Sequence, residues 1–403
     1  MDNNLVSNHH FLKEYLSFPS TLFNPYKGRD NVMKRGPTHN SSRYIKNISF
    51  YKTLGYFFSK IYMESIAKAE SNDIEYLIKS YIKDRGVEIS PSLIKIENLS
   101  EFLVETSFKN ASIRTFGKKL ALNSDFYKLL FLNADIQYFR FFNYFDFFIK
   151  LKVLISKWSF YFTIQKISSI VDSELNNHKF SNRKFHPPTC ALDIIADHYD
   201  FFKYQTIEET CIDIYEVFLG IYSITPTRIH NILVDISTQP HLDSILVQEQ
   251  LNIMKTHGES ISLSAIEKMK YLDSVILESL LLSSPASFMH RQAEKNIFLS
   301  NGMKINKHST ISLNIFSKYH DPLVTSPNKR KFEPHKHLDS KTNLNQYAAV
   351  HMKIIVATII RKYCIISDIK KIGHQHTGYS QVSTIAPLIN QIYLEKRYAK
   401  HFI

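Results

Sequence analysis

The sequence predicts a mainly α-helical protein with small strand pairs at its periphery. Apolar residues recur at helical spacing over long stretches, and glycine, with 10 residues in 403, is scarce for an all-β fold. Apolar and polar residues alternate near 292–314, which is the spacing of strands. This stretch contains Asn301-Gly302, a dipeptide typical of a hairpin turn.

The first half of the chain divides into a loop-rich start and a helical body. Residues 1–55 are rich in proline, asparagine and serine, and helical periodicity dominates from about 56 to 180. The stretch 135–165 is very aromatic, which is typical of a buried helix pair; a membrane-facing surface is the alternative. The sequence "NRKFHPPT" at 182–189 predicts a break.

The second half changes from helical to strand-like spacing. A long helical region is expected from about 205 to 255, and a further helix over Asp273 to Leu282. After the hairpin signal, a proline-bearing coil covers 320–345. The apolar sequence at 350–367 predicts a buried helix that runs into a strand, and short strands follow to about 396.

Composition limits the class of protein. The chain carries 50 Lys and Arg against 37 Asp and Glu, a net charge of +13, but no basic block accompanies a turn–helix signature. A diffuse basic surface is usually just solvated, though it also suits anionic membranes, acidic partners or nucleic acid. The three cysteines lack metal-ligand spacing and suit a reducing compartment. We expect no signal peptide and no membrane-spanning helix.

One carboxylate lies in an apolar helix and therefore needs a polar partner. Glu278 lies among leucines, and a buried glutamate requires a cation or hydrogen-bond donors. A side chain three residues on would face it one helical turn away. That position holds Leu281, so the partner has to come from another part of the chain.

The order of segments after residue 269 resembles the C-terminal half of the cytochrome P-450 family, in particular its fungal members. A helix carrying Glu278 leads to Arg291, to the Asn-Gly hairpin, to "HDP" at 320–322, to "SPNKRKFEPHKHL" at 326–338 and to a last helix. Upstream, 211–251 resembles the long central helix of the family, 110–130 its helix near the heme edge and 11–23 the segment after its membrane anchor. We therefore interpret 1–403 as a single domain of this fold, with 1–55 as a loop-rich segment without the anchor.

The resemblance implies a heme-dependent monooxygenase. Such enzymes hydroxylate lipophilic molecules, here a fungal secondary metabolite, with oxygen and electrons from an NADPH-dependent flavoprotein reductase. The family resides at the endoplasmic reticulum membrane. Without the anchor, we expect this chain to be cytoplasmic or peripheral, with salt-sensitive contact to anionic membranes.

The heme ligand that the resemblance requires is missing. The family binds iron through a cysteine thiolate in a glycine-rich loop before the last helix. Here the cysteine position falls near Asn343, the glycines are absent, and the coil after Leu338 is too short for the loop. We therefore expect no retained heme, and either an inactive pseudoenzyme or a gene that has lost the coding segment of this loop. The alternative is a heme-free scaffold or lipophile-binding protein; a nucleic-acid binder is disfavoured.

The resemblance also assigns a charge network. In the family, the helix carries Glu-x-x-Arg, and an arginine of the later coil completes the network. Leu281 and Lys336 occupy the two arginine positions here, so Glu278 and Lys336 are the expected remnant. Lysine cannot make the planar bidentate pair that arginine makes. Restoring arginine at both positions should then stabilise the fold.

Three further positions are assigned by the resemblance. Ser223 and Thr225 fall near the pair that relays protons to oxygen, although Pro226 follows and Thr225 has the alternative of bonding back to its own helix. Arg291 matches the arginine that pairs with a heme propionate.

The histidines do not suggest a metal centre. The pairs His335-x-His337 and His374-x-His376 lack a third ligand at suitable spacing, so no metal site is predicted. His351 lies in the last helix and is a poor substitute for the missing thiolate.

Overall fold

The structure, a computed structural model, describes residues 3–6, 14–15, 17–25, 27–28, 60–138, 158, 161–176, 188–198, 206–283, 288–315, 332–338, 347–367, 379–381 and 385–397. Helices dominate this part of the chain, which confirms the mainly α prediction. Small sheets accompany them, as expected.

The centre of the fold consists of four long helices packed on one another. They are α1 (Lys60–Arg85), α2 (Leu99–Phe116), α7 (Ile207–Ser237) and α11 (Tyr347–Lys362). Nearly all of the α11 side chains are buried, which confirms the prediction of a buried helix that runs directly into a strand. Burial on all sides is typical of a helix at the centre of a large domain.

Local signals set the ends of the central helices. Asn98 caps α2 by accepting a hydrogen bond from the N–H of Glu101 at 3.0 Å. Gly117 ends α2 with φ at 82°, a left-handed conformation that glycine adopts without strain. Thr206 caps α7 by accepting from the N–H of Glu209 at 3.1 Å. Helix α7 continues through Pro226 to Ser237.

Shorter helices surround this centre. They are α3 (Lys118–Ala121), α4 (Ser124–Tyr138), α5 (161–176), α6 (Ala191–Asp197), α8 (Pro240–His257), α9 (Leu263–Ile266) and α10 (Lys270–Ser283). A 3₁₀ turn covers Pro334–His337. Helix α10 packs on this turn and on α7, and it carries the glutamate singled out from the sequence.

Two four-stranded sheets lie beside the helices. The first has the order β1 (Asn3–Val6), β8 (Thr310–Asn314), β5 (Phe288–Ala293) and β2 (Phe23–Asn24); β1 runs parallel to β8. The second has the order β3 (Val87–Ser90), β4 (Leu93–Ile96), β12 (Ile392–Lys396) and β9 (Tyr363–Ile366). A two-stranded pair joins β10 (Tyr379–Gln381) to β11 (Ile385–Pro387). The strands expected after the last helix are therefore present.

The expected hairpin is also present. Strand β6 (Ile297–Phe298) pairs antiparallel with β7 (Lys304–Ile305), and Asn301-Gly302 forms the turn between them. Gly302 has φ at 82°, and its N–H donates to the Leu299 carbonyl at 2.9 Å. The dipeptide thus supplies the left-handed residue that the turn needs.

The aromatic stretch is only partly described. Helix α4 ends at Tyr138, and 139–157 lie outside the described residues. At the far end, the side chains of Trp158, Tyr161 and Phe162 are all more than half exposed. Thr163 and Ile164 at the same end are buried, so the described end of the stretch is partly buried. The expectation of a buried helix pair otherwise falls outside the described residues and stays a prediction.

Among the described residues, no helix combines the length and the apolar character that crossing a bilayer requires. No three metal-ligating side chains come together in this part of the chain either, and the pair His374 and His376 lies outside it.

Candidate functional site

The 3₁₀ turn is attached to helix α10 through Glu278. The Glu278 side chain is buried, with only 8% of the residue exposed. Its Oε1 accepts a hydrogen bond from the N–H of Glu333 at 3.0 Å, and its Oε2 lies 2.5 Å from Nε2 of His337. Both carboxylate oxygens therefore have partners on one short segment. Hydrogen bonds to an ionised group are among the stronger ones in proteins.

The partner of Glu278 differs from the one expected. The Lys336 side chain is half exposed and contacts the carboxylate of Glu333 instead. Successive residues of a 3₁₀ turn point about 120° apart, so only one of two neighbours can face α10. That residue is His337, which corrects the expectation for Lys336. Leu281 is half-buried on α10.

A second buried carboxyl group lies next to this contact. Asp235 on α7 accepts a hydrogen bond from the hydroxyl of Ser279 at 2.6 Å, and both residues are almost fully buried. Burial raises the pKa of Asp235 to about 7, opposed by the Ser279 hydrogen bond and assisted by the nearby charge of Glu278. Helices α7 and α10 are thus joined through a titratable group beside Glu278.

Arg291 on β5 is engaged by the N-terminal segment. Its Nη1 donates to the carbonyl oxygens of Tyr15 at 3.1 Å and Phe18 at 3.2 Å. The guanidinium also lies over the Tyr15 ring, 5.0 Å from its centroid, where a cation is attracted to the π face. Its Nε is buried without a hydrogen-bond partner among the described residues.

Thr225 is occupied within its own helix. Its hydroxyl donates to the Ile221 carbonyl at 2.6 Å, and the side chain is buried. This is the back-bonding alternative considered from the sequence. The Ser223 side chain lies outside the described residues.

Comparison with known proteins decides the family. The sequence profile of the family "Cytochrome P450" matches residues 4–352 of this chain. The chain belongs to the cytochrome P450 family. In general, members of this family are heme-dependent monooxygenases.

Individual relatives agree with the profile over shorter stretches. Cytochrome P450 71A12 of Arabidopsis thaliana is 24% identical over 177 residues, which are 44% of this chain and 35% of that protein. Cheilanthifoline synthase of Argemone mexicana is 26% identical over 178 residues, 43% of this chain and 33% of that protein. Cytochrome P450 9e2 of Blattella germanica is 30% identical over 115 residues, 28% of this chain and 21% of that protein. The chain therefore aligns with about a third or less of each of these three relatives. They come from plants and an insect, and a fungal origin of this chain stays a prediction.

The sulfur atoms of this P450 chain do not fit a thiolate-bound heme. Cys190 caps helix α6, Cys211 lies in the second turn of α7, and Cys364 lies in strand β9. Burial raises the pKa of all three thiols: to about 12 for Cys211, to about 11 for Cys364, and well above the usual range for Cys190. Iron binding itself deprotonates a thiol, so the pKa values of the metal-free protein do not decide the question. The positions do: none of the three cysteines lies in the segment directly before α11, where the family places its ligand. Asn343 lies outside the described residues.

Sequence reasoning missed a buried polar cluster between α1, α2 and α11. His351 contacts Glu70 through Nδ1, and Asn110 donates to the same carboxylate oxygen at 2.6 Å. The Tyr347 hydroxyl donates to it at 3.2 Å. The available signal was a glutamate and a histidine on otherwise apolar helix faces. His351 is completely buried in this cluster, consistent with its interpretation as a poor heme ligand.

Proposed function

We propose that this chain keeps the helical body of a P450 monooxygenase but acts without thiolate-driven hydroxylation, as a heme-free protein that binds lipophilic small molecules. One observation carries the proposal: the three sulfurs lie at the N-cap of α6, in α7 and in strand β9, and none lies directly before α11, where the family places the iron ligand. The chain offers no other cysteine. The thiolate that drives oxygen activation in the family has no source here.

Two side chains that the family uses at the heme form hydrogen bonds with backbone carbonyl oxygens of this chain, which supports the proposal. The Arg291 guanidinium donates hydrogen bonds to the carbonyl oxygens of Tyr15 and Phe18, and the Thr225 hydroxyl donates one to that of Ile221. These contacts stabilise the fold without a cofactor. The turn is likewise attached to α10 by protein groups, because Glu278 accepts from the Glu333 N–H and contacts His337.

The family's substrates and electron donors set the chemical class of ligand and partner. P450 proteins in general take lipophilic substrates and electrons from a redox partner. For this chain we propose a lipophilic metabolite as ligand, with contact to a flavoprotein reductase or to the endoplasmic reticulum surface through basic and aromatic patches. Attraction of that kind is screened within about 8–10 Å, so it weakens as salt rises.

A second candidate is an active monooxygenase whose ligand loop is encoded in the gene but is not part of this sequence. The intact attachment of the turn at 332–338 to α10 favours it, because this turn lies directly before the position of that loop. Genomic DNA between the codons for Leu338 and Tyr347 separates the candidates. A readable segment that encodes a glycine-rich loop with a cysteine supports the enzyme.

Reconstitution with hemin tests the heme-free proposal. The purified 403-residue chain should give no long-wavelength Soret band in the reduced carbon monoxide complex, since that band requires a thiolate ligand. Cys364→Ser removes the most accessible sulfur and is the matched control; its spectrum should be the same as that of the wild type. A stoichiometric heme complex with thiolate character overturns the proposal.

Ligand binding is measured separately. A fluorescent fatty-acid analogue should bind the heme-free chain saturably and be displaced by a lipophilic metabolite such as a sterol or terpene. Linear, non-saturable partitioning would contradict a binding role and leave a scaffold as the function.

A further inference from the structure

Among the described residues, Arg361 in the last turn of α11 is a buried cation that contacts no carboxylate. Only 8% of the residue is exposed. Its Nε donates to the side-chain oxygen of Gln250 on α8 at 3.0 Å, and its Nη1 donates to the Glu259 carbonyl at 2.7 Å. Both acceptors are neutral, so the guanidinium is held by hydrogen bonds without a counter-ion.

Arg397 shows the usual arrangement at the same end of α11. Its Nε donates to the Ile360 carbonyl at 2.9 Å, one residue before Arg361. Its Nη2 contacts the carboxylate of Asp243 on α8, so its charge is paired. The two arginines therefore lie between the same two helices but differ in having a counter-charge.

Burial of the Arg361 charge is unfavourable in this setting, because a buried ion is stable only when it is paired. Burial lowers the pKa of Arg361 to about 10, and the charge of Glu259, whose side chain is exposed, opposes the shift. Arg361 is therefore still protonated at neutral pH. The C-terminus of α11 favours a cation through its dipole, but it gives Nη2 no acceptor.

Three buried polar atoms at this place have no hydrogen-bond partner in the described part of the chain. They are Nη2 of Arg361, Nε2 of Gln250 and Oγ of Ser260. The orientation of the Gln250 amide follows from chemistry: Nε of Arg361 can only donate, so the amide oxygen faces it and the NH2 group is left over. Ser260 directly follows Glu259, whose carbonyl binds Nη1. All three atoms can donate, so the group they lack is an acceptor.

We propose that Arg361, Gln250 and Ser260 form a binding site for a small inorganic anion such as chloride. An anion accepts from all three donors and neutralises the buried guanidinium, whereas a water molecule brings two hydrogens of its own and no charge. The anion has to be small because the three atoms are buried. This site is separate from the proposed lipophile binding and holds α8, the segment after it and the end of α11 together.

Urea unfolding of the full chain in two salts at equal ionic strength tests the site. Sodium chloride is compared with sodium gluconate, whose anion is too large for a buried site. A ligand that binds only the folded state stabilises it in proportion to RT ln(1 + [L]/Kd). We expect the unfolding equilibrium constant to be on the order of tenfold smaller in about 0.2 M chloride, which corresponds to a Kd of about 20 mM.

Variants separate anion binding from general salt effects. Gln250→Glu places a fixed carboxylate beside the Arg361 guanidinium, so it should be more stable than the wild type in gluconate and show no response to chloride. Ser260→Ala removes one donor and should weaken the response. Arg397→Gln is the matched control: it loses the contact with Asp243 and some stability, but it should keep the tenfold response to chloride.

Bromide locates the ion directly. In crystals grown in sodium bromide, an anomalous bromide peak is expected in contact with Nη2 of Arg361. Equal stability of the wild type in the two salts, a chloride response that persists in Gln250→Glu, or a water molecule without bromide signal at this position overturns the proposal. The salt comparison and the bromide peak use the wild-type chain, so they decide the matter even if a variant does not fold.

Discussion

His351 and Glu70 are in direct contact at the interface of helices α11 and α1, and neither side chain has any exposure to solvent. Burial alone would raise the pKa of Glu70. The charge and hydrogen bond of His351, the charge of Arg114 and a hydrogen bond from Asn110 together bring it below the usual value of 4.5. Glu70 is therefore ionised in the centre of the fold, and the contact with His351 stabilises this buried charge.

Removing one member of this pair should be strongly destabilising. Glu70→Leu and His351→Leu each leave a buried polar group without its partner, at an expected cost of about 3–5 kcal/mol. The double variant should cost clearly less than the sum of the singles, because both charges are then gone. Urea unfolding of the four proteins measures the coupling.

The control for this cycle lies one and a half turns away on the same helix. Glu75 is partly exposed and pairs with Lys79 and Lys362, so Glu75→Gln should cost less than about 1 kcal/mol. Additive effects of the two leucine substitutions would show that Glu70 and His351 are not energetically coupled.

Glu278 should matter more for stability than Lys336. Glu278→Ala removes the acceptor for both the Glu333 N–H and His337, and we expect a loss of about 1.5–3 kcal/mol in the free energy of unfolding. Lys336→Ala removes an exposed pair with Glu333 and should cost less than about 1 kcal/mol. Thermal and denaturant unfolding of both variants measures the difference.

The same contacts revise the arginine restoration expected from the sequence. Lys336→Arg should change stability by no more than about 0.5 kcal/mol, because the side chain faces Glu333 and solvent. A gain of several kcal/mol from this substitution alone would mean that position 336, and not 337, faces Glu278.

Local patterns were sufficient for the elements but not for the partners. Helical spacing identified the buried helix at 347–362, and Asn301-Gly302 located the hairpin, because both signals act within a few residues. The resemblance located Glu278 and the turn that it holds. Which of Lys336 and His337 faces the helix depends on the rotation of a 3₁₀ turn, and sequence spacing does not fix that rotation.

Long-range polar pairs were beyond the reach of spacing arguments. Glu70 and His351 are 281 residues apart, and neither stands in a motif with the other. Their pairing depends on how α1 and α11 pack. The rings of Trp158, Tyr161 and Phe162 show a second limit of sequence reasoning. Apolar composition predicts burial, whereas the structure leaves Trp158 62% exposed.

The folded pKa of Glu249 on α8 is shifted in the opposite direction to that of Glu70, so its contribution to stability should depend on pH in the opposite way. Its carboxylate accepts the N–H groups of Tyr271 at 2.5 Å and Leu272 at 3.1 Å, in the first turn of α10. Burial raises the pKa of Glu249 to about 7, although these two hydrogen bonds oppose the shift. Its folded pKa is thus above the usual value of 4.5.

A raised folded pKa gives stabilisation that is complete below about pH 4.5 and lost as the pH rises through about 7. We therefore expect the free energy of unfolding to fall by about 2–3 kcal/mol from this group between about pH 5 and about pH 8.

Glu249→Gln should cost about 1 kcal/mol at the lower pH, since its amide oxygen can still accept one N–H, and should flatten the profile. Glu97→Gln, at a well-exposed glutamate, is the control and should keep the wild-type slope. Guanidinium unfolding midpoints across this range measure both, and an unchanged slope in Glu249→Gln would mean that Glu249 is already ionised at pH 5.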